Sequence, residues 1–141
     1  MRILIIICTF IWVGFVLGIS FLEAPLKFQA PNITTELGLG IGKIVYSALN
    51  KVEILLAILI SAGILFGKFS FKKHFLFPTV FGIIIVQTLW LLPILDERAS
   101  MIISGQEVPD TYHHLYYVIL EIIKVPLLLI AGISFIKKSK I

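Results

Sequence analysis

Charged side chains are scarce in this sequence. Asp, Glu, Lys and Arg make up 14% of the 141 residues, against about 25% in a typical soluble domain. Hydrophobic residues account for 59%, and the mean hydropathy is +1.06. A soluble fold of this length could not cover the long apolar runs in the sequence. The composition therefore predicts an integral membrane protein.

Sulfur ligands and familiar catalytic motifs are also lacking. The single cysteine, Cys8, lies inside the first apolar run, which excludes a disulfide framework or a multi-thiolate metal site within the chain. We interpret Cys8 as a small apolar core residue. The sequence has no Gly-rich phosphate loop, no serine nucleophile elbow and no His-Glu-x-x-His zinc motif. These absences do not decide whether the protein is an enzyme.

The charges that are present divide into two groups along the chain. The first group is purely basic and consists of Arg2, Lys68, Lys72, Lys73, Lys137, Lys138 and Lys140. The other segments contain five basic and eight acidic residues, so the split is +7 against −3. Lys and Arg in short flanking segments stay in the cytoplasm, which predicts that both termini and the middle loop are cytoplasmic. No interleaved aromatic and basic surface accompanies these charges, so nucleic acid is not expected as a partner.

Four apolar runs predict an all-α, four-helix transmembrane bundle that forms a single membrane domain over the whole chain. The predicted helices are about 3–22, 43–67, 75–95 and 112–136. Pro25 is expected to end the first helix, and Pro93 to lie in the last turn of the third. The half-apolar segment 24–41 is expected to lie along the membrane interface. Residues 1–20 have only poor cleavage points and are interpreted as a retained helix instead of a leader.

Two of these helices can cross a bilayer only if ionisable side chains enter it. Fourteen uncharged residues separate Glu53 from Lys68, and the run 125–136 has only twelve, whereas a spanning helix needs about 20. The second helix must therefore begin before Glu53, and the fourth must include Glu121 and Lys124. Length alone predicts a polar site in the outer half of the bundle.

Helical spacing places the polar residues of different helices at similar depth. Asn50 and Glu53 share one face of the second helix, while His114, Glu121 and Lys124 share one face of the fourth. An ionised group near the bilayer centre costs about 2.5–3.5 kcal/mol, so such groups usually pair. Lys124 is expected to pair with both Glu121 and Glu53. The predicted proton- or ion-binding site consists of Glu23, Asn50, Glu53, Gln87, His114, Glu121 and Lys124.

Three interpretations of this site stay open. The first is an ion- or proton-coupled transport component, because membrane carboxylates beside histidine commonly relay protons. The second is a metal- or cofactor-binding membrane protein, including an oxidoreductase, with Glu53, His114 and Glu121 as candidate metal ligands. Their spacing differs from the Glu-x-x-His sets of di-metal bundles, and no particular cofactor is indicated. The third is a structural membrane subunit whose polar residues hold the helices together.

Gly14 and Gly18 form a small-xxx-small pair on the first helix. This pattern lets another helix approach closely. A chain of four helices has few elements with which to enclose a transport pathway. We therefore expect the lipid bilayer and, through this pair, a homo-oligomer as the partners of the chain.

A family resemblance rests on short motifs in the first half of the chain. They are Gly-Phe-Val-Leu-Gly and Phe-Leu-Glu-Ala-Pro-Leu-Lys-Phe within residues 14–28, and Ala-Leu-Asn-Lys-Val-Glu at 48–53. With them the chain resembles small bacterial four-helix membrane proteins of unknown function, distantly similar to the animal transmembrane protein 205 group. The resemblance extends over nearly the whole chain and implies four spanning helices in a bacterial inner (plasma) membrane. It implies no catalytic residues and agrees with the emphasis on Glu23, Asn50 and Glu53.

Overall fold

The computed structural model describes residues 1–70 and 74–137, and within them the chain is helical, with no strand. Four long helices are present: α1 (Arg2–Gln29), α2 (Thr35–Phe66), α3 (Leu76–Ile103) and α4 (His113–Lys137). They contain 28, 32, 28 and 25 residues, and each is long and apolar enough to cross a membrane. This confirms the all-α, four-helix prediction and indicates a multi-pass integral membrane protein. Four residues of the predicted basic clusters lie outside the described residues: Lys72, Lys73, Lys138 and Lys140.

Neighbouring helices run antiparallel. The guanidinium of Arg2 lies 5.9 Å from the ring centre of Phe69, just after α2. Phe69 also contacts Phe135 near the end of α4, with ring centres 5.3 Å apart. The start of α1 and the end of α4 therefore lie at the same end of the bundle, which we call the terminal end. The α1–α2 and α3–α4 connections lie at the opposite end, called the loop end.

Two prolines that were expected to end helices lie inside them. Ala24, just before Pro25, keeps helical angles of φ −55° and ψ −48°, so the predicted end of α1 at Pro25 is wrong. Likewise α3 continues from Pro93 to Ile103 and does not stop near 95. A π-helical segment precedes each proline, Leu17–Glu23 in α1 and Gln87–Leu91 in α3. These wider turns shift the hydrogen-bond pattern where proline lacks an N–H, so the helix can continue.

The second helix starts earlier than its predicted boundary at 43. Thr34 is its N-cap, with an extended backbone and a hydroxyl that accepts a 3.2 Å hydrogen bond from the Leu37 amide. Glu36 adds a negative charge to the first turn, which favours a helix start. The segment 24–41 is therefore helical on both sides of a short turn, in which Asn32 has a left-handed φ of 62°. It is not one continuous interfacial segment.

The apolar core fills the terminal end and the middle of the bundle. Large side chains from all four helices are fully buried there, among them Ile5, Trp12, Ile60, Phe77 and Phe135. Cys8 belongs to the same core, in agreement with its interpretation as an apolar filler. Many large apolar side chains on the outside are exposed, for example Leu89 at 73%. Such a surface suits lipid.

Close helix approach within the chain occurs at glycines other than the predicted pair. A methyl group built on Gly132 of α4 would lie 3.1 Å from the Phe10 ring and 3.2 Å from Thr9 of α1. One on Gly63 of α2 would lie 2.8 Å from Ile5. By contrast, no described neighbour lies within 4 Å of such a methyl group at Gly14, so Gly14 is not used for packing within the chain.

Gly132→Leu is accordingly expected to destabilise the protein by about 1–3 kcal/mol, because overpacking forces neighbouring helices apart. Gly82→Leu is the matched control, since no described neighbour lies within 4 Å of a methyl group built there and Gly82 lies outside the pair expected to contact a second copy. The free energy of unfolding of both variants, measured in the same detergent, provides the comparison. Equal stability of the two would contradict the close α1–α4 approach.

Candidate functional site

The centre of the site is the side chain of Lys124 on α4, which is fully buried. Its ammonium donates hydrogen bonds to Glu53 Oε1 at 2.6 Å and to Gln87 Oε1 at 2.8 Å. It also forms an ion pair with Glu121 Oε1 at 2.6 Å. Three oxygens from three helices therefore surround a group that has three N–H donors. Both predicted ion pairs of Lys124 are present.

Glu121, one turn before Lys124, has donors on both carboxylate oxygens. Its Oε1 accepts a 2.7 Å hydrogen bond from Gln87 Nε2, and its Oε2 accepts one of 2.9 Å from the Ser20 hydroxyl of α1. Together with the Lys124 ammonium at Oε1, these donors satisfy both oxygens of the carboxylate.

Glu53 on α2 has donors on one oxygen only. Its Oε1 accepts hydrogen bonds from Lys124 and, at 2.7 Å, from the indole N–H of Trp12 on α1. Its Oε2 is buried and has no hydrogen-bond partner among the described residues. A buried polar atom without a partner is costly unless something else satisfies it. The two carboxylates are thus chemically unequal although both contact one lysine.

The π-helical segments explain two of these side-chain positions. Ser20 belongs to the segment in α1, and Gln87 is the first residue of the segment in α3. Thr88, the next residue, accepts a 2.8 Å hydrogen bond from the Asn50 side-chain amide of α2. A wide turn rotates the following residues relative to an ordinary helix, and such turns occur frequently at functional sites.

The charges of this cluster do not balance. Glu53, Glu121 and Lys124 are each at most 1% exposed. Two ionised carboxylates and one ammonium carry a net charge of −1, in a region that water does not reach. Burying an uncompensated charge is expensive, so the cluster needs one more positive charge, either a proton or a cation.

A cavity of about 640 Å³ opens on the loop-end side of this cluster. Asn50 and Tyr117, each one turn from a cluster carboxylate, form part of its lining. His114 also lines the cavity and is exposed. Glu23 does not line it but contacts Lys27, which does, at 3.6 Å. The cavity therefore lies next to several of the predicted site residues.

The structure separates the seven predicted site residues into two sets. Four of them meet in one hydrogen-bonded cluster: Glu53, Gln87, Glu121 and Lys124. Of the other three, Asn50 and His114 line the cavity and Glu23 pairs with Lys27, and none of them forms a hydrogen bond or ion pair with these four residues. His114 does not meet Glu121 because seven residues separate them, about 10 Å along a helix axis.

Two members of the cluster were missed by reasoning from the sequence. Neither Trp12 nor Ser20 is among the seven site residues predicted from the sequence. Both lie on one α1 face with Val16, at spacings of four residues, and Trp12 and Val16 are fully buried. This spacing could have indicated that Trp12 and Ser20 belong to the site, because polar groups on a buried helix face usually have partners in the bundle.

Metal ligation is not supported by this arrangement. Within residues 1–70 and 74–137, no group of three or more His, Cys, Asp and Glu side chains is placed to hold a metal ion. Of the three candidate ligands, His114 lies apart from the cluster. The Lys124 ammonium occupies the position between Glu53 and Glu121 where a metal would bind.

No protein-family model, curated protein or solved structure matches this chain. The resemblance to the transmembrane protein 205 group therefore stays a prediction. Inference about function depends on the geometry of the cluster and the cavity.

Proposed function

We propose that the protein is a proton-coupled transport component of a membrane, in which Glu53 holds an exchangeable proton. The observation that carries this proposal is the charge imbalance of the buried cluster, two carboxylates against one ammonium. One proton makes the cluster neutral. Ionisable groups inside a membrane commonly mark proton or ion pathways.

The hydrogen bonds favour Glu53 over Glu121 as the site of this proton. Both oxygens of Glu121 accept hydrogen bonds, whereas Oε2 of Glu53 has no donor. The groups that face Glu53 are the Lys124 ammonium and Glu121 of α4, the Trp12 indole of α1 and the Gln87 amide of α3. A proton on Oε2 leaves every one of these contacts in place. A metal ion at the same atom would need several further oxygen ligands.

The position of the cluster supports a coupled role. Toward the loop end lies the cavity, and toward the terminal end lies the apolar core. Asn50, one turn before Glu53, lines the cavity, so Glu53 lies between the cavity and the apolar core. A proton can leave Glu53 toward the terminal end only if the contacts of Lys124 change. Because these contacts join three helices, the presence of the proton would be coupled to the positions of the helices.

Infrared spectroscopy of the purified protein across a pH series tests the proposal. We expect a C=O stretching band from a protonated carboxylic acid that disappears as the pH rises and is missing in Glu53→Gln. Glu97→Gln, at an exposed position on α3, is the matched control and should keep the band. A spectrum without a titrating buried acid would leave the cluster as a structural network. A band that persists in Glu53→Gln would place the proton elsewhere.

Orientation in the membrane is part of the proposal. The basic flanks favour a terminal end in the cytoplasm, with the cavity on the outer side of a bacterial inner membrane. A reporter fused after Ile141 is expected to be active only in the cytoplasm, and one inserted near Gly105 only outside. The two fusions control each other, because the opposite pattern in both would reverse the orientation.

The proposal also includes a homo-oligomer. Gly14 and Gly18 have open space beside them within one chain, so a second copy could approach α1 there. Such an assembly would supply the additional helices that a transport pathway needs.

A further inference from the structure

The loop-end cavity carries an inference that does not depend on the proton at Glu53. All four helices contribute to its walls, which are mainly apolar and include Pro25, Phe28, Leu39, Leu92 and Leu95. Its volume of about 640 Å³ lies within the range of roughly 300–1,000 Å³ that small-molecule sites occupy. The space is therefore suitable for a ligand of moderate size and apolar character.

The charged side chains around the cavity are already paired. Lys43 lies 3.4 Å from Asp96 and donates a 2.5 Å hydrogen bond to Ser100. Lys27 lies 3.6 Å from Glu23, and its ammonium is 5.6 Å from the ring centre of Tyr46. Two positive and two negative charges therefore offset one another. The cavity has no surplus charge that would select an ionic ligand.

Two nearly buried polar groups in the lining have hydrogen-bonding capacity to spare. Asn50 is 8% exposed, and its amide nitrogen donates to Thr88. The amide oxygen of Asn50 accepts no hydrogen bond from any described residue. The hydroxyl of Tyr117, which is 3% exposed, likewise has no partner among the described residues. An acceptor and a group that both donates and accepts are thus free in a mainly apolar lining.

We propose that this cavity binds a neutral, largely apolar molecule that has a hydroxyl head. The hydroxyl would donate to the Asn50 amide oxygen and accept from Tyr117, while the apolar part would occupy the space between Phe28, Leu39 and Leu92. This chemistry is shared by alkylated hydroquinones and by neutral lipids with a free hydroxyl. The Asn50 amide makes the site prefer ligands with a hydroxyl, because a ligand without one leaves this buried polar group unpaired.

Binding of four probes to the purified protein, measured by native mass spectrometry, tests this site. The probes are a decyl hydroquinone and its di-O-methyl ether, and a short-chain diacylglycerol and its O-methyl ether. We expect at least one hydroxyl probe to bind about fivefold or more tightly than its ether. Whichever of the two hydroxyl probes binds more tightly shows whether the ligand is a hydroquinone or a neutral lipid. Equal binding of both hydroxyl probes and their ethers would overturn the proposal.

Substitutions in the cavity lining test which residues cause the preference for a hydroxyl probe over its ether. Asn50→Leu keeps a similar volume and is expected to weaken binding of the hydroxyl probe about five- to tenfold and to abolish the preference over the ether. Tyr117→Phe, which keeps the ring, provides a second test if Asn50→Leu folds poorly. Ser61→Ala, at the separate groove between α2 and α3, is the control and should bind as wild type. Unchanged binding in both lining variants would contradict the proposal, whatever the infrared result for Glu53.

Discussion

Replacing Lys124 with methionine is expected to destabilise the protein by about 3–5 kcal/mol, because two buried carboxylates lose the cation between them. Methionine has a similar length and no charge, so the loss of packing is small. Gln87 would also lose one of its two partners. The free energy of unfolding in detergent, compared with that of wild type, measures the effect.

Lys51→Met provides the matched control, because Lys51 lies two residues before Glu53 on α2 and is exposed. It makes the same substitution without removing a buried partner, and its stability should stay within about 0.5 kcal/mol of wild type. If the Lys124 and Lys51 variants were equally stable, the ammonium would not be needed to balance the cluster. The charge argument for a proton at Glu53 would then fail.

Removing the whole cluster is expected to restore most of the stability that Lys124→Met loses. The variant combines Glu53→Met, Gln87→Leu, Glu121→Met and Lys124→Met, so that neither a charge nor the central amide is left without its partners. Buried ion pairs replaced by apolar residues of similar volume are often neutral or stabilising by about 1–4 kcal/mol. We therefore expect a gain of about 3–5 kcal/mol relative to the single Lys124 variant.

The same apolar variant separates a functional cluster from a structural one. If it folds stably and lacks the titrating infrared band, the charges serve proton binding and are dispensable for folding. If it is as unstable as Lys124→Met, the polar contacts of Trp12 and Ser20 hold the helices together. This result would favour the interpretation of the cluster as a structural network. Unfolding curves and infrared spectra on the same samples distinguish these results.

The sequence alone was sufficient to predict the number of helices and the central ion pairs. Apolar runs of about 20 residues can be satisfied only by spanning helices, because backbone groups in lipid must bond within the segment. Short apolar runs beside Glu53 and Glu121 forced these residues into the bundle. Since a buried charge requires an opposite charge, Lys124 was the evident partner for both.

Helix boundaries depended on contacts that spacing does not reveal. The segment 24–41 was expected to lie along the membrane interface, yet from Thr35 onward it belongs to α2, where Gly38 allows close approach of the Phe28 ring from the end of α1. Pro25 and Pro93 suggested helix ends, yet a π-helical segment before each lets the helix continue. In both cases a residue that disfavours an isolated helix is accommodated by packing or by a local change of helical turn.

Only the tertiary structure decided which polar residues share a site. Depth along the helices placed Asn50 and His114 with the carboxylates, but depth does not fix the rotation of one helix against another. The crossing of α1 and α2 brings the Trp12 indole to Glu53, and that of α1 and α4 brings Ser20 to Glu121. A sequence specifies the face of each helix, whereas the angle and contact point between faces come from the packing of the whole bundle.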